Sequence, residues 1–154
     1  MPAAYSFVSE WRTPASPARC WGEVERMLLS DRGTSWWPAV GVDPRPASLA
    51  VGESLGLRVR SPLGYVLRVR LLLTGVEEGR MLSATSDGDL KGFGSLMIAE
   101  RLDGARLTWE WRVTTQPRWM NATAFALAPL FRGAHRRVMA AGERGMLRAL
   151  ATDG

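Results

Sequence analysis

The chain has 154 residues, 46% of them hydrophobic and 23% charged, with 20 basic against 15 acidic side chains and a formal net charge of +5. That length falls within the usual range of one domain, expected to span 1–154, and buries a core without staples, while the composition excludes disordered and fibrous classes. A single cysteine, Cys20, and a single histidine, His135, exclude an intramolecular disulfide and a multi-cysteine or histidine-rich metal site.

Tyr5, Phe7, Ser9 and Trp11 alternate with Ser6, Val8, Glu10 and Arg12, the period of two of a strand with one buried face. Ser16-Pro17 then offers an N-cap followed by proline at the first helical position. Trp21, Val24, Met27 and Leu28 recur at helical spacing, so a short helix is expected to end near Asp31-Arg32-Gly33. Trp36-Trp37-Pro38 reads as a turn, because proline disfavours helix at the residue before it.

Six short runs follow: Ser48 to Val51, Leu55 to Arg60, Gly64 to Gly75, Arg80 to Ser86, Leu90 to Glu100 and Arg106 to Val113. They are separated by the turn residues Gly52-Glu53, Ser61-Pro62, Glu78-Gly79, Asp87-Gly88 and Asp103-Gly104, which predicts an antiparallel meander. Alternation sets the facing. Leu55, Leu57 and Val59 oppose Arg58 and Arg60; Tyr65, Leu67, Val69, Leu71 and Leu73 oppose Arg68 and Arg70; Leu107, Trp109, Trp111 and Val113 oppose Thr108, Glu110 and Arg112. Gly92 and Gly94 form no dinucleotide fingerprint and are expected to let the sheet bend.

After a break at Gln116-Pro117, a long helix is expected from Asn121 or Ala122 to Ala151, with Leu127, Phe131, Ala134, Val138 and Ala141 on one stripe and a bend near Pro129 and Gly133. A sheet of about seven strands needs its apolar face covered, and two helices are available to do so.

The basic residues are arginines apart from Lys91, and they fall on the polar phase of strands and of the last helix, so nucleic acid is not an expected partner. The N-terminus lacks a basic region followed by an apolar core, and the weakly polar run from Met120 to Phe131 is shorter than the roughly 20 residues that span a membrane. The expectation is a cytoplasmic protein without a membrane span. No cofactor or metal is expected, and the oligomeric state is left open, a homodimer included.

Trp11 near the end of the first strand, Ser16-Pro17 with Trp21, the Trp36-Trp37-Pro38 turn, Tyr65, Gly88-Asp89-Leu90 with Gly92 and Gly94, and Trp111 stand in a telling order. His135, Val138-Met139, Gly142 and Gly145-Met146-Leu147 extend it through the last helix. In that order the chain resembles the helix-grip fold of the START and Bet v 1-like (SRPBCC) superfamily, and within it the bacterial polyketide cyclase/dehydrase group. The resemblance implies an α+β fold in which a curved antiparallel sheet wraps a long C-terminal helix. It also implies an internal apolar cavity, used elsewhere in the superfamily for lipids, quinones, plant hormones and aromatic polyketides.

Candidate site residues divide between packing and binding. Trp36, Trp37, Trp109, Trp111 and Trp119 can wall a flat ligand or simply fill the core of a wide sheet. Tyr65, Leu67 and Val69 share one strand face, and the Tyr65 phenol can bond a ligand carbonyl. Leu127, Phe131 and His135 lie along the last helix; His135 is a candidate acid or base toward a carbonyl, with Asp89 its partner by analogy with the family pattern. Asp87-Gly88-Asp89 itself reads as a hairpin turn and not a metal site. Three functions follow: binding of a small hydrophobic molecule, aromatic or lipid-like, in the cavity; a polyketide cyclase or dehydratase using Tyr65 and His135; or a protein-interaction module.

Overall fold

The computed structural model describes residues 4–30, 36–115 and 124–152, with the side chains of 115 and 124–128 outside the description. β1 (Ala4–Thr13) leads into α1 (Pro17–Leu29). Ser16 caps the helix by accepting the Arg19 N–H at 3.3 Å, with Pro17 at the first position, where a missing N–H costs nothing. The helix stops at Leu29, with the Ser30 N–H bonded to the Arg26 carbonyl at 2.9 Å. That is earlier than the expected end at 31–33, which lies outside the described residues.

The meander comprises β2 (Val40–Val42), β3 (Ser54–Arg60), β4 (Val66–Glu77), β5 (Met81–Gly88), β6 (Leu90–Arg101) and β7 (Gly104–Thr115). All pairings are antiparallel, in the order β1-β7-β6-β5-β4-β3-β2, so the first strand lies beside the last. The seven strands curl into a half-barrel. One strand differs from expectation. Ser48 to Val51 form bends and a turn, and the seventh strand is instead the three-residue β2, directly after the tryptophan pair and paired with Leu57–Val59. Three residues are too few to carry an alternation signal.

Strand facing follows the alternation. Leu107 is fully buried and Val113 nearly so, while Glu110 and Arg112 point outward and pair with each other at 2.8 Å. Gly88, at φ 95°, makes the β5–β6 turn in a conformation that side chains resist, with the Arg68 carbonyl 2.7 Å from where a Cβ would stand. Gly94 sits opposite Trp111, and a Cβ there would stand 3.0 Å from the indole. The local use of this glycine is therefore to make room for an aromatic ring.

α2 (Ala124–Thr152) lies across the concave face. Among the described residues its buried apolar side chains are Phe131, Ala134, Val138, Met139, Met146 and Leu150, with Ala141 only half-buried, so the stripe is turned slightly toward Met139 from its expected line. The helix approaches the tryptophan turn at its two buried glycines. A Cβ on Gly142 would stand 2.5 Å from the Trp37 ring, and one on Gly145 would collide with the Trp36 carbonyl. The Trp37 indole donates to the Val138 carbonyl at 2.9 Å, and the Trp36 indole donates to the Glu23 carbonyl at 3.2 Å, which fastens the turn to both helices. Two further bonds hold α2 in place: Arg19 Nη2 donates to the Leu150 carbonyl at 2.7 Å, and the Arg12 N–H donates to Glu143 Oε2 at 3.2 Å. Among the described residues, no helix is long and apolar enough to cross a membrane.

Candidate functional site: a cavity between sheet and helix

A cavity of about 210 Å³ lies between the concave face and α2. Strand alternation makes its wall: Leu55, Leu57 and Val59 from β3, Leu67, Val69, Leu71 and Leu73 from β4, and Trp109, Trp111 and Val113 from β7. Phe131, Ala134, His135, Val138 and Met139 of α2 face it from the other side. One end is walled by packed indoles. Trp11 lies 5.2 Å from Trp37 and 4.9 Å from Trp109, and Trp36 stacks on Trp37 at 5.7 Å with the planes 14° apart. At the other end Phe131 takes edge contacts from both Tyr5, at 6.0 Å, and Tyr65, at 5.7 Å. The tryptophans therefore wall one end of the space and leave the middle open.

Polar groups are few, and three of them are unsatisfied. Among the described residues, Tyr5 Oη, Trp109 Nε1 and His135 Nε2 are buried and have no hydrogen-bond partner. Buried polar atoms are normally paired, because leaving one unpaired costs about 1–3 kcal/mol, so three around a single cavity form a pattern. The imidazole of His135 is also stacked on Phe7 at 4.0 Å. Burial lowers its pKa from the ordinary 6.5 to about 4, so it is neutral at neutral pH. Burial pushes both phenols up: that of Tyr5 against an opposing pull from Arg132 and with a smaller push from Tyr65, that of Tyr65 against a hydrogen bond with Ser61.

The residues expected at the site separate clearly. Trp37, Tyr65, Leu67, Val69, Trp109, Trp111, Phe131 and His135 all line the cavity. Trp36 does not; it packs behind Trp37 and bonds to α1. Trp119 and the side chain of Leu127 lie outside the description. Tyr65 precedes β4 and does not open it, yet it keeps the inward parity of Leu67. Asp89 is not a partner of His135: its Oδ2 accepts the Arg68 N–H at 2.8 Å and its own N–H reaches the Arg68 carbonyl, which ties it into the β4–β6 corner. Only burial shifts the imidazole, and a nearby carboxylate would have pulled its pKa the other way. Among the described residues no group of three or more potential metal ligands occurs.

No protein-family profile matches the chain, and no curated protein does. Solved structures do. The chain is similar to protein Ms6760 of Mycobacterium smegmatis at 17% identity and a TM-score of 0.62, over 98% of this chain and 92% of that one. It is similar to Ara h 8.0201 at 14% identity and a TM-score of 0.60, over 95% and 99%. It also matches the di-domain ARO/CYC BexL from the BE-7585A biosynthetic pathway at 18% identity and a TM-score of 0.66, over 94% of this chain but 49% of BexL. The chain has the helix-grip fold of the START/Bet v 1-like superfamily.

In this helix-grip structure one cavity residue stands out that the site reading of the sequence passed over. Tyr5 belongs to the alternating run Tyr5, Phe7, Ser9 and Trp11, and its inward parity is visible there. Its place at the site depends on β1 pairing with β7, which sets Tyr5 opposite Val113. Sequence separation hides that pairing.

Proposed function

We propose that this protein binds a small, predominantly hydrophobic molecule in the cavity between sheet and α2. The observation that carries the reading is an apolar chamber with three unpaired polar atoms, an arrangement in which burial supplies affinity and a few hydrogen bonds fix orientation. Its volume lies below the roughly 300 Å³ at which typical drug-sized sites begin. That favours a small, flat ring compound over a long acyl chain. Trp37, Tyr65, Leu67, Val69, Trp109, Trp111, Phe131 and His135 form the binding wall in this reading.

A second reading, cyclisation or dehydration of a bound carbonyl compound, is favoured by the likeness to the ARO/CYC BexL and by Tyr65 and His135 both facing the cavity. An imidazole with a pKa near 4 is a weak base at neutral pH, well away from the range in which proton transfer is most efficient. Binding is therefore the primary reading. Thermal-shift titration with quinones, naphthalene derivatives and fatty acids tests it: compact aromatics are expected to raise Tm without being converted to product. No rise with any of the three classes would remove the binding reading, and product formation would establish the second.

A further inference from the structure

The three unpaired atoms also constrain the charge and layout of the ligand, an inference that rests on the binding reading above. Trp109 pairs with Ser9, Trp111 with Phe7 and Val113 with Tyr5, so three successive inward rows run along the β1–β7 edge. Trp109 Nε1 belongs to the first row. His135 lies against Phe7 in the second, and Tyr5 Oη belongs to the third. Ser9 and Tyr5 are four residues apart on one strand, about 13 Å at roughly 3.3 Å per residue. The residues that carry or adjoin the three polar atoms are thus spread along the cavity and do not share one row.

Their chemistry differs along the cavity. An indole N–H only donates, so whatever meets Trp109 must accept. A phenol and a neutral imidazole can each donate or accept. Among the described residues that line the cavity none bears a formal charge, in a chain that carries 20 basic and 15 acidic side chains. The guanidinium that acts on the lining is Arg132, exposed on α2, and its effect on the Tyr5 phenol is smaller than that of burial. An ionised carboxylate entering this space would lose its hydration and meet no countercharge on the described lining, with only the exposed Arg132 guanidinium acting from outside it.

We propose that the cavity selects an uncharged, flat, elongated molecule with a carbonyl-type acceptor at the end that meets Trp109 and a hydrogen-bonding group toward His135 and Tyr5, and that it rejects the ionised carboxylate of the same shape. Isothermal titration at neutral pH with three probes of nearly equal size tests this: 2-acetonaphthone, 2-ethylnaphthalene and 2-naphthoate. The ketone is expected to bind about tenfold more tightly than the hydrocarbon, the worth of one hydrogen bond to an otherwise unpaired donor. The carboxylate is expected to bind at least about 100-fold more weakly than the ketone. Trp109→Phe, which removes the donor and keeps an aromatic ring, should abolish the preference for ketone over hydrocarbon.

Equal affinity for ketone and carboxylate would overturn the inference, as would a ketone preference that survives Trp109→Phe. In either case binding of the hydrocarbon would leave the cavity-binding reading standing. Binding of none of the three probes would remove both. The wild-type ketone and carboxylate comparison decides the charge selection even if the variant fails to fold.

Discussion

The imidazole of His135 lies nearly parallel to the ring of Phe7, with centroids 4.0 Å apart and planes 17° from coincidence. This contact joins α2 to β1, the strand most remote from it in sequence, and it buries Nε2 at the cavity wall without giving it a partner. One stacking interaction therefore links the fold to the site. It sets a cavity-lining residue with a buried polar atom against β1, and the burial of that imidazole keeps it in the neutral form.

The cost of that arrangement is measurable as pH-dependent stability. The His135 pKa is about 4 in the folded protein and near 6.5 once unfolded, so between these values the unfolded chain holds a proton that the native one does not. The native state keeps its full stability above pH 6.5 and loses it as pH falls toward 4, by about 3 kcal/mol in all. Denaturant unfolding of wild type and His135→Gln from pH 7.5 to 4 should show the gap in ΔG narrowing or reversing on acidification. A parallel pair of curves would show that the imidazole is not buried neutral.

Gly142 and Gly133 lie on the same helix and should respond oppositely to alanine. A methyl at Gly142 meets the rings of Trp37 and Trp11 at 2.5 and 2.8 Å, and Gly142→Ala should cost about 1–3 kcal/mol despite the better helix propensity of alanine. Nothing lies within 4 Å of a methyl at Gly133, and Gly133→Ala should stabilise by roughly 0.5–1 kcal/mol. Thermal unfolding of the two variants checks the signs. The same sign for both would mean that α2 does not approach the tryptophan turn as closely as described.

Much of this architecture was legible in the chain because alternation is a local signal. The inward run of Leu107, Trp109, Trp111 and Val113, the Ser16-Pro17 cap and the order of the elements could all be read from neighbours in sequence. The three-residue β2 could not, since it is shorter than two periods of the pattern. Site membership was harder, because it depends on which strands meet. Trp36 and Trp37 are adjacent and alike, yet one packs behind the cavity and the other lines it, a difference set by their bonds to Glu23 and Val138 far away in sequence. The pairing of His135 with Asp89 failed for the same reason: the carboxylate is occupied by the Arg68 backbone.

Filling the cavity should separate stability from binding. Ala84 is buried on β5 and lines the space, so Ala84→Leu places three more carbons where the structure is empty. Stability should be unchanged or rise by up to about 1 kcal/mol, while affinity for 2-acetonaphthone is lost. Chemical denaturation and calorimetric titration on one preparation provide both readings. A variant that is destabilised by about 2 kcal/mol or more would indicate that the space is already filled by side chains.

A bromine-labelled ligand gives the most direct test of the binding claim. In a crystal structure of the protein with 6-bromo-2-acetonaphthone, anomalous scattering from bromine should place the molecule between the β7 wall and α2, with its ketone oxygen within hydrogen-bond distance of Trp109 Nε1. Bromine density only outside this space, with the cavity walls unmoved and the chamber empty, would contradict it.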